Sequence, residues 1–139
     1  MSEKASVISD FDRTRLEELI EELKGRGTGH PWVNGEKLLK KLASAQVVTP
    51  AEVPADAASL NSIVRLRDLE SNTERVYNLV FPSHSNPREG RISVLSSLGV
   101  SMLGCRIGEV VEWETPKGLK LLRIVEVIYQ PEAAGHWTL

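Results

Sequence analysis

The spacing of apolar residues changes once along this chain of 139 residues, close to Pro50. Before Pro50, apolar residues recur at the i, i+3, i+4, i+7 spacing of one helix face: Leu16, Leu19, Ile20 and Leu23. After it, apolar and polar residues alternate over short runs such as Tyr77, Leu79 and Phe81, which predicts β-strands. We therefore predict two units, a helical unit over residues 1–49 and a β-rich unit over residues 50–139.

The helical unit is predicted to be a short antiparallel hairpin. Its first helix covers Ser9–Lys24, with Ser9 as the N-cap. The segment Gly25–Pro31 holds three glycines and one proline, a composition that excludes a helix and predicts a turn. A second helix begins at Asn34 and ends before Pro50. The first helix is only about 22 Å long at about 1.5 Å per residue, so the hairpin is a short arm.

The β-rich unit is predicted to contain a sheet and one short helix. Its strands cover Ile63–Leu66, Val76–Phe81, Arg91–Val94, Val110–Thr115 and Leu119–Tyr129. The helix follows Ser96 or Ser97 as its cap and ends at Gly104. The last strand is apolar on nearly both faces, which predicts an interior position in the sheet. The predicted fold class is therefore α+β.

Charge and composition exclude several classes of function. Seventeen basic residues stand against nineteen acidic ones, and neither half of the chain is basic, which argues against nucleic acid as the primary ligand. No run approaches the roughly 20 apolar residues of a membrane span. The N-terminus has no apolar run of the secretory kind, and the single Cys105 cannot form an internal disulfide. We expect a cytoplasmic protein without membrane contact.

The residues that carry catalysis or bind metals are too scattered to predict an enzyme. The three histidines, His30, His84 and His136, lack the spacing of metal ligands. Cys105 has no partner base nearby in the sequence. We predict no catalytic residue, no cofactor and no metal site.

Several dispersed motifs resemble one family of bacterial transcription factors. The stretch Arg91–Glu109 resembles the C-terminal signature of the GreA/GreB transcript-cleavage factors, and Val111–Gly118 and Ile124–Tyr129 are similar to their last two strands. Within this superfamily the chain most resembles the Rnk-like branch, the regulators of nucleoside diphosphate kinase. Three further segments carry that closer resemblance: Pro50–Asp56, Leu79–Pro82 and Tyr129–Gly135.

The resemblance implies an FKBP-like domain, in which an antiparallel sheet wraps around one short helix. It also implies a partner, RNA polymerase, on which this domain docks at the rim of the secondary channel. The docking loop of the family corresponds to Ser96, Ser97, Leu98 and Gly99, with Ser97 in place of the usual proline. The same loop also serves to cap the short helix, and both roles are compatible.

In the Gre factors the hairpin enters the channel, and acidic residues at its tip help to hold the metal ion for transcript cleavage. Here the tip, Gly25–Trp32, contains no Asp or Glu, and a hard cation needs carboxylate oxygens. We therefore expect competition with Gre-type factors at the channel without stimulated cleavage. Arg26, His30 and Trp32 are the candidate contacts of the tip, although Trp32 could instead fold back onto the hairpin.

Two alternatives remain open. The FKBP-like fold by itself suggests a peptidyl-prolyl isomerase, but fold is weak support for function, and some of the domain's few aromatic residues must fill its core. The name of the Rnk-like branch suggests contact with nucleoside diphosphate kinase. An indirect effect on that kinase through transcription is an equal alternative.

Overall fold

The computed structural model describes residues 6–26 and 32–136. The helical unit consists of β1 (Val7–Ser9), α1 (Asp10–Arg26), α2 (Trp32–Ser44) and β2 (Gln46–Val48). The rest of the chain forms β3 (Ile63–Asp68), β4 (Glu74–Val80), β5 (Arg91–Ser93), α3 (Ser97–Met102), β6 (Val110–Thr115), β7 (Gly118–Tyr129) and α4 (Pro131–Ala134). Short 3-10 turns cover Pro50–Glu52, Pro82–His84 and Pro87–Glu89. The predicted α+β class is confirmed.

Strands β3 to β7 form one five-stranded sheet in the order β5-β4-β3-β7-β6. Strand β7 pairs with β3 on one side and β6 on the other, so its predicted interior position is correct. The pairing is antiparallel except between β4 and β5, which are parallel. This departure from a wholly antiparallel sheet arises because the two 3-10 turns between β4 and β5 carry the chain back before it re-enters the sheet.

The start of α1 agrees with the predicted capping residue, whereas the start of α2 does not. The hydroxyl oxygen of Ser9 accepts a hydrogen bond from the backbone N–H of Asp12 at 2.9 Å, which confirms the predicted N-cap of α1. Helix α2 begins at Trp32, two residues before the predicted cap Asn34. A single capping residue locates a helix end only to within about two residues.

A parallel pair of three-residue strands closes the base of the hairpin and was not predicted. In this pair Ile8 of β1 lies opposite Val47 of β2, and the N–H of Val7 also donates to the carbonyl oxygen of Gly104 at 3.2 Å. The sequence contains Val47 and Val48, but three residues are too few to show a strand period.

One hydrophobic core joins the hairpin to the sheet. The hairpin contributes Leu16, Ile20, Leu38 and Leu42, each at most 2% exposed. They pack in the same cluster as residues of the sheet and of α3, which include Leu66, Leu79, Leu98, Met102 and Ile124. The predicted division between residues 49 and 50 lies in the connector between β2 and the Pro50–Glu52 turn.

A half-buried lysine fastens α2 to the C-terminal end of α3. The ammonium group of Lys41 donates to the carbonyl oxygens of Val100, Ser101 and Leu103 at 2.6, 2.8 and 2.7 Å. The last carbonyls of a helix lack partners within it, and an ammonium has three N–H donors, so one side chain satisfies all three oxygens. Burial lowers the pKa of Lys41, because the charged ammonium is largely withdrawn from water.

We predict that Lys41→Met lowers the free energy of unfolding by about 2–4 kcal/mol, because methionine keeps the chain length but removes all three N–H donors. The carbonyl oxygens of Val100 and Leu103 lose the ammonium, and that of Ser101 keeps only the Cys105 thiol as a donor, at 3.2 Å. The exposed neighbour Lys40 offers a matched control, and Lys40→Met should change stability by no more than about 0.5 kcal/mol. Urea denaturation at neutral pH measures both. Equal effects of the two substitutions would contradict this role of Lys41.

Candidate docking surface

The loop before α3 is held in shape by its serines. The hydroxyl of Ser96 accepts a hydrogen bond from the N–H of Gly99 at 3.0 Å and donates to the carbonyl oxygen of Ser93 at 2.7 Å. Ser96 is thus the N-cap of α3. The hydroxyl oxygen of Ser93 also accepts from the N–H of Leu95 at 2.9 Å, so successive hydroxyl–backbone bonds fix the path of this loop.

Two of the four residues predicted to contact a partner face the interior. Leu98 is 2% exposed and belongs to the hydrophobic core. Gly99 is also buried, and a Cβ atom at this position would lie 2.0 Å from the carbonyl oxygen of Ser93. Leu98 and Gly99 therefore hold the loop against the interior, and Ser96 and Ser97 are its partly exposed residues.

Ser97 links the loop to the edge of the sheet. Its hydroxyl oxygen accepts a hydrogen bond from the backbone N–H of Glu114 in β6 at 3.1 Å. The side-chain carboxylate of the same residue, Glu114, forms an ion pair with the ammonium of Lys37 from α2 at 3.2 Å. Ser97 thus lies where the short helix, the sheet edge and the hairpin meet.

A groove lies on the face of the sheet next to this junction. Its cavity of about 520 Å³ is lined by residues that include Arg75, Tyr77, Arg88, Ile92 and Trp113. A second recess of about 180 Å³ adjoins it through Arg75, Tyr77 and Trp113. There the ammonium of Lys120 lies 6.0 Å from the Trp113 ring centroid and 3.4 Å from a carboxylate oxygen of Asp68. An aromatic floor with charged edges suits an apolar side chain of a protein partner.

The predicted contacts of the hairpin tip fall at the limit of the described residues. Arg26 is the last residue of α1 and Trp32 the first of α2, but their side chains and the whole of His30 lie outside the described residues. Glu21, an acid in the part of α1 nearest the tip, lies 4.0 Å from the ammonium of Lys24. Among the residues that the structure describes, no group of three or more His, Cys, Asp or Glu side chains could hold a metal ion.

A cluster of buried carboxyl groups joins α1 to the rest of the chain and was not predicted. Asp12 accepts hydrogen bonds from the Arg15 guanidinium at 2.6 Å and from the N–H of Leu60 at 3.3 Å. Glu132 in α4 accepts one from the hydroxyl of Ser59 at 2.6 Å. Burial raises the pKa of both carboxyl groups, and the charge of Asp12 raises that of Glu132 further. From the sequence, Asp12 looks only like a favourable charge at a helix start.

The C-terminal part of the chain matches a known family. The family model described as "Transcription elongation factor, GreA/GreB, C-term" matches residues 53–129. The chain belongs to the GreA/GreB family. The five-stranded sheet and α3, which carry the candidate docking surface, lie within these matched residues. The predicted membership of this family is thereby confirmed.

Two GreA/GreB relatives show how much of the chain the likeness covers. The "Regulator of nucleoside diphosphate kinase" of Escherichia coli (strain K12) is 34% identical over 140 residues, which span the whole of both chains. The "Transcription elongation factor GreA" of Helicobacter hepaticus (strain ATCC 51449 / 3B1) is 38% identical over 89 residues, 64% of this chain and 55% of that protein. The likeness to the regulator therefore includes the hairpin, whereas the likeness to GreA covers about half of GreA.

The fold is also similar to that of a solved GreA/GreB structure. The "Prokaryotic transcription elongation factor GreA/GreB from Nitrosomonas europaea" is similar with a TM-score of 0.74 at 36% identity, over 89% of this chain and 99% of that one. The relatives are thus a regulator and transcription elongation factors. None of the helices in the described ranges is long and apolar enough to cross a membrane.

The buried carboxyl groups predict a dependence of stability on pH. Because their folded-state pKa values are raised, the folded protein binds more protons than the unfolded chain between about pH 4, where Asp and Glu ordinarily titrate, and those raised values. Their contribution to stability therefore falls as pH rises through this window. Asp12→Asn should remove part of that fall, by at most about 1.4 kcal/mol per pH unit.

Urea denaturation between about pH 4.5 and 7.5 measures this difference. Asp10→Asn, at an exposed position two residues earlier in α1, is the matched control and should leave the slope of stability against pH unchanged. An Asp12→Asn protein with the slope of the unaltered chain would contradict the assignment.

Proposed function

We propose that this chain is a cytoplasmic regulator that binds RNA polymerase near its secondary channel and competes there with Gre-type factors without stimulating transcript cleavage. The observation that carries the proposal is a GreA/GreB C-terminal fold joined to a hairpin whose tip, Gly25–Trp32, has no carboxylate. In this proposal the GreA/GreB-like domain binds the polymerase. The tip has no carboxylates and so cannot help to hold a metal ion for transcript cleavage.

The length of the arm supports obstruction without catalysis. Helix α1 has 17 residues and therefore rises about 25 Å at about 1.5 Å per residue. The core residues Leu16 and Ile20 fasten its central part to the sheet unit, so only the distal part of the arm projects toward a partner. A projecting arm of this kind occupies the mouth of a channel, while catalysis with a hard cation requires converging carboxylate oxygens.

The surface proposed for polymerase is Ser97 together with the adjoining groove that contains Tyr77 and Trp113. Ser97 is partly exposed, and its hydroxyl oxygen accepts a hydrogen bond from the backbone N–H of Glu114, the residue after Trp113 in β6, so the loop lies close to the groove. Trp113 is half-buried, whereas Tyr77 belongs to the core and shows only its edge to the groove. A half-buried aromatic residue with arginines nearby is typical of the energetic centre of protein interfaces.

The isomerase alternative is less well supported by the arrangement of aromatic residues. Among the aromatic residues of the β-rich unit, Tyr77 and Trp113 line the groove. Phe81 faces α1 on another surface, and the hydroxyl of Tyr129 is hydrogen-bonded to Nδ1 of His136 at 2.9 Å. Turnover of a proline peptide by the purified protein would favour the isomerase over the regulator.

We predict that the protein displaces a Gre factor from backtracked transcription complexes and releases no shortened transcripts. Competition is measured as loss of Gre-stimulated cleavage with increasing amounts of this protein, and cleavage as short RNA products with this protein alone. The double variant Thr28→Asp/His30→Asp, which introduces acids at the tip, should compete with the Gre factor as well as the unaltered protein does. Cleavage products from the unaltered protein, or no effect on Gre activity, would contradict the proposal.

A second prediction concerns the docking surface. Ser97→Arg should weaken binding to core polymerase about tenfold, because a bulky charge enters the centre of the proposed contact. Ser44→Arg is the matched control, since Ser44 is an exposed serine with a single hydrogen bond of its hydroxyl to a backbone carbonyl oxygen. Both variants should melt close to the unaltered protein. If Ser97→Arg binds as well as Ser44→Arg, polymerase docks on another surface.

If nucleoside diphosphate kinase is regulated through transcription, the Ser97→Arg protein should lose that effect together with polymerase binding. A direct effect on the kinase would survive this substitution. Kinase activity measured with purified components separates the two cases.

A further inference from the structure

The apolar face of α1 is wider than the surface that the rest of the described chain covers. Leu16 and Ile20 are fully buried, whereas Leu19 and Leu23 on the adjoining strip remain partly exposed. Helix faces that pack against a core normally bury their whole apolar stripe. Leu19 and Leu23 pack against the edge of the core and still leave part of their apolar surface exposed to a partner.

This strip forms one wall of a groove, and the 3-10 turn after β4 forms the other. Phe81 and Pro82 face Leu19 and Leu23 across a cavity of about 680 Å³. We call this the α1–Phe81 groove. It shares none of its lining residues with the groove at Tyr77 and Trp113, so it is a second surface and does not depend on the proposed contact with polymerase.

The edges of the α1–Phe81 groove carry negative charge. Glu18 and Glu22 lie four residues apart on the helix wall and line the cavity. Glu18 makes no salt bridge with any residue that the structure describes. The neighbouring acids Glu17 and Glu21 lie in ion pairs with Arg13 and Lys24, at 3.2 and 4.0 Å, and do not line the groove.

The cation at the end of the groove is already engaged. The guanidinium of Arg15 bonds to the buried carboxylate of Asp12 at 2.6 Å. It also lies 4.5 Å from the ring centroid of Phe11 and 5.2 Å from that of Phe81. Its charge is thereby balanced within the protein, and the groove keeps an acidic character.

We propose that the α1–Phe81 groove binds a basic amphipathic helix of a partner protein. Apolar residues of that helix, at i, i+3, i+4 and i+7, would pack between Leu19, Leu23 and Phe81, and flanking Lys or Arg side chains would meet Glu18 and Glu22. Helices pack side by side at about 8–10 Å, which suits a groove with one helical wall.

A second copy of this chain is a poor occupant. Its basic helix is α2, but Leu38 and Leu42 of α2 lie in the core. Lys41 is held by the carbonyl oxygens of α3, and Lys37 meets Glu114. Helix α2 therefore has neither its apolar face nor these cations available, and the partner is a different protein.

Binding of two synthetic helical peptides of about 18 residues, five turns each, tests the proposal. Both have leucine at the i, i+3, i+4, i+7 positions, and the remaining positions are lysine in one peptide and glutamate in the other. Fluorescence anisotropy with the full chain should show the lysine peptide binding at least about tenfold more tightly. Equal binding of the two peptides would overturn the proposal.

Charge reversal on the helix then separates the groove from general attraction. Glu18→Lys/Glu22→Lys should weaken binding of the lysine peptide about tenfold, whereas the matched control Glu17→Lys/Glu21→Lys should stay within about threefold, because charges outside the contact are screened by salt. Equal losses in the two double variants would mean that only overall charge matters, and would reject the groove.

Two further measurements locate the contact without depending on charge. Amide chemical shifts on addition of the lysine peptide should change at Leu19, Leu23 and Ser83 and not at Ser97. Changes confined to other surfaces would overturn the assignment. Sedimentation of the protein alone should show a monomer; a dimer that Glu18→Lys/Glu22→Lys dissociates would mean that the groove is an interface between two copies.

Discussion

The contact between the ammonium of Lys41 and three carbonyl oxygens of α3 determines how the hairpin sits on the sheet unit. Those carbonyls are at the end of a helix of only six residues, which cannot satisfy them internally. A side chain from α2 supplies the missing donors and thereby brings two distant segments into one core. The parallel pairing of β1 and β2 and the bond from Val7 to Gly104 hold the base of the same junction.

On the other side of the hairpin, buried acids make the equivalent connection. Asp12 reaches the backbone of Leu60, and Glu132 reaches Ser59, so α1, the connector and α4 meet around carboxyl groups that burial makes harder to ionise. With both helices fastened in this way, the arm holds a defined position relative to the sheet. Two separate surfaces lie where the two units meet. One is beside Ser97 at the start of α3, and the other is the α1–Phe81 groove.

The loop before α3 shows why sequence motifs identify a site more easily than its contact atoms. A serine cap for α3 was predicted at Ser96 or Ser97, and Ser96 is the cap, because a cap depends on neighbours three residues away. That Leu98 and Gly99 face inward depends on the packing of α3 against the sheet, which no local pattern encodes. The same holds for Lys37 and Lys41 of α2, which contact β6 and α3, segments far from them in the sequence.

The sequence by itself determined the two hydrophobic periods, the order of the two hairpin helices, the five strands of the sheet and α3, the cap at Ser9 and the lack of acids in Gly25–Trp32, because each is a property of neighbouring residues. Only the tertiary structure decided which polar groups are buried together and which apolar strip of α1 stays partly exposed. Lys41 and Val100 are 59 residues apart, and Ser59 and Glu132 are 73 apart. Such contacts depend on how the whole chain closes around one core, and short-range spacing does not carry that information.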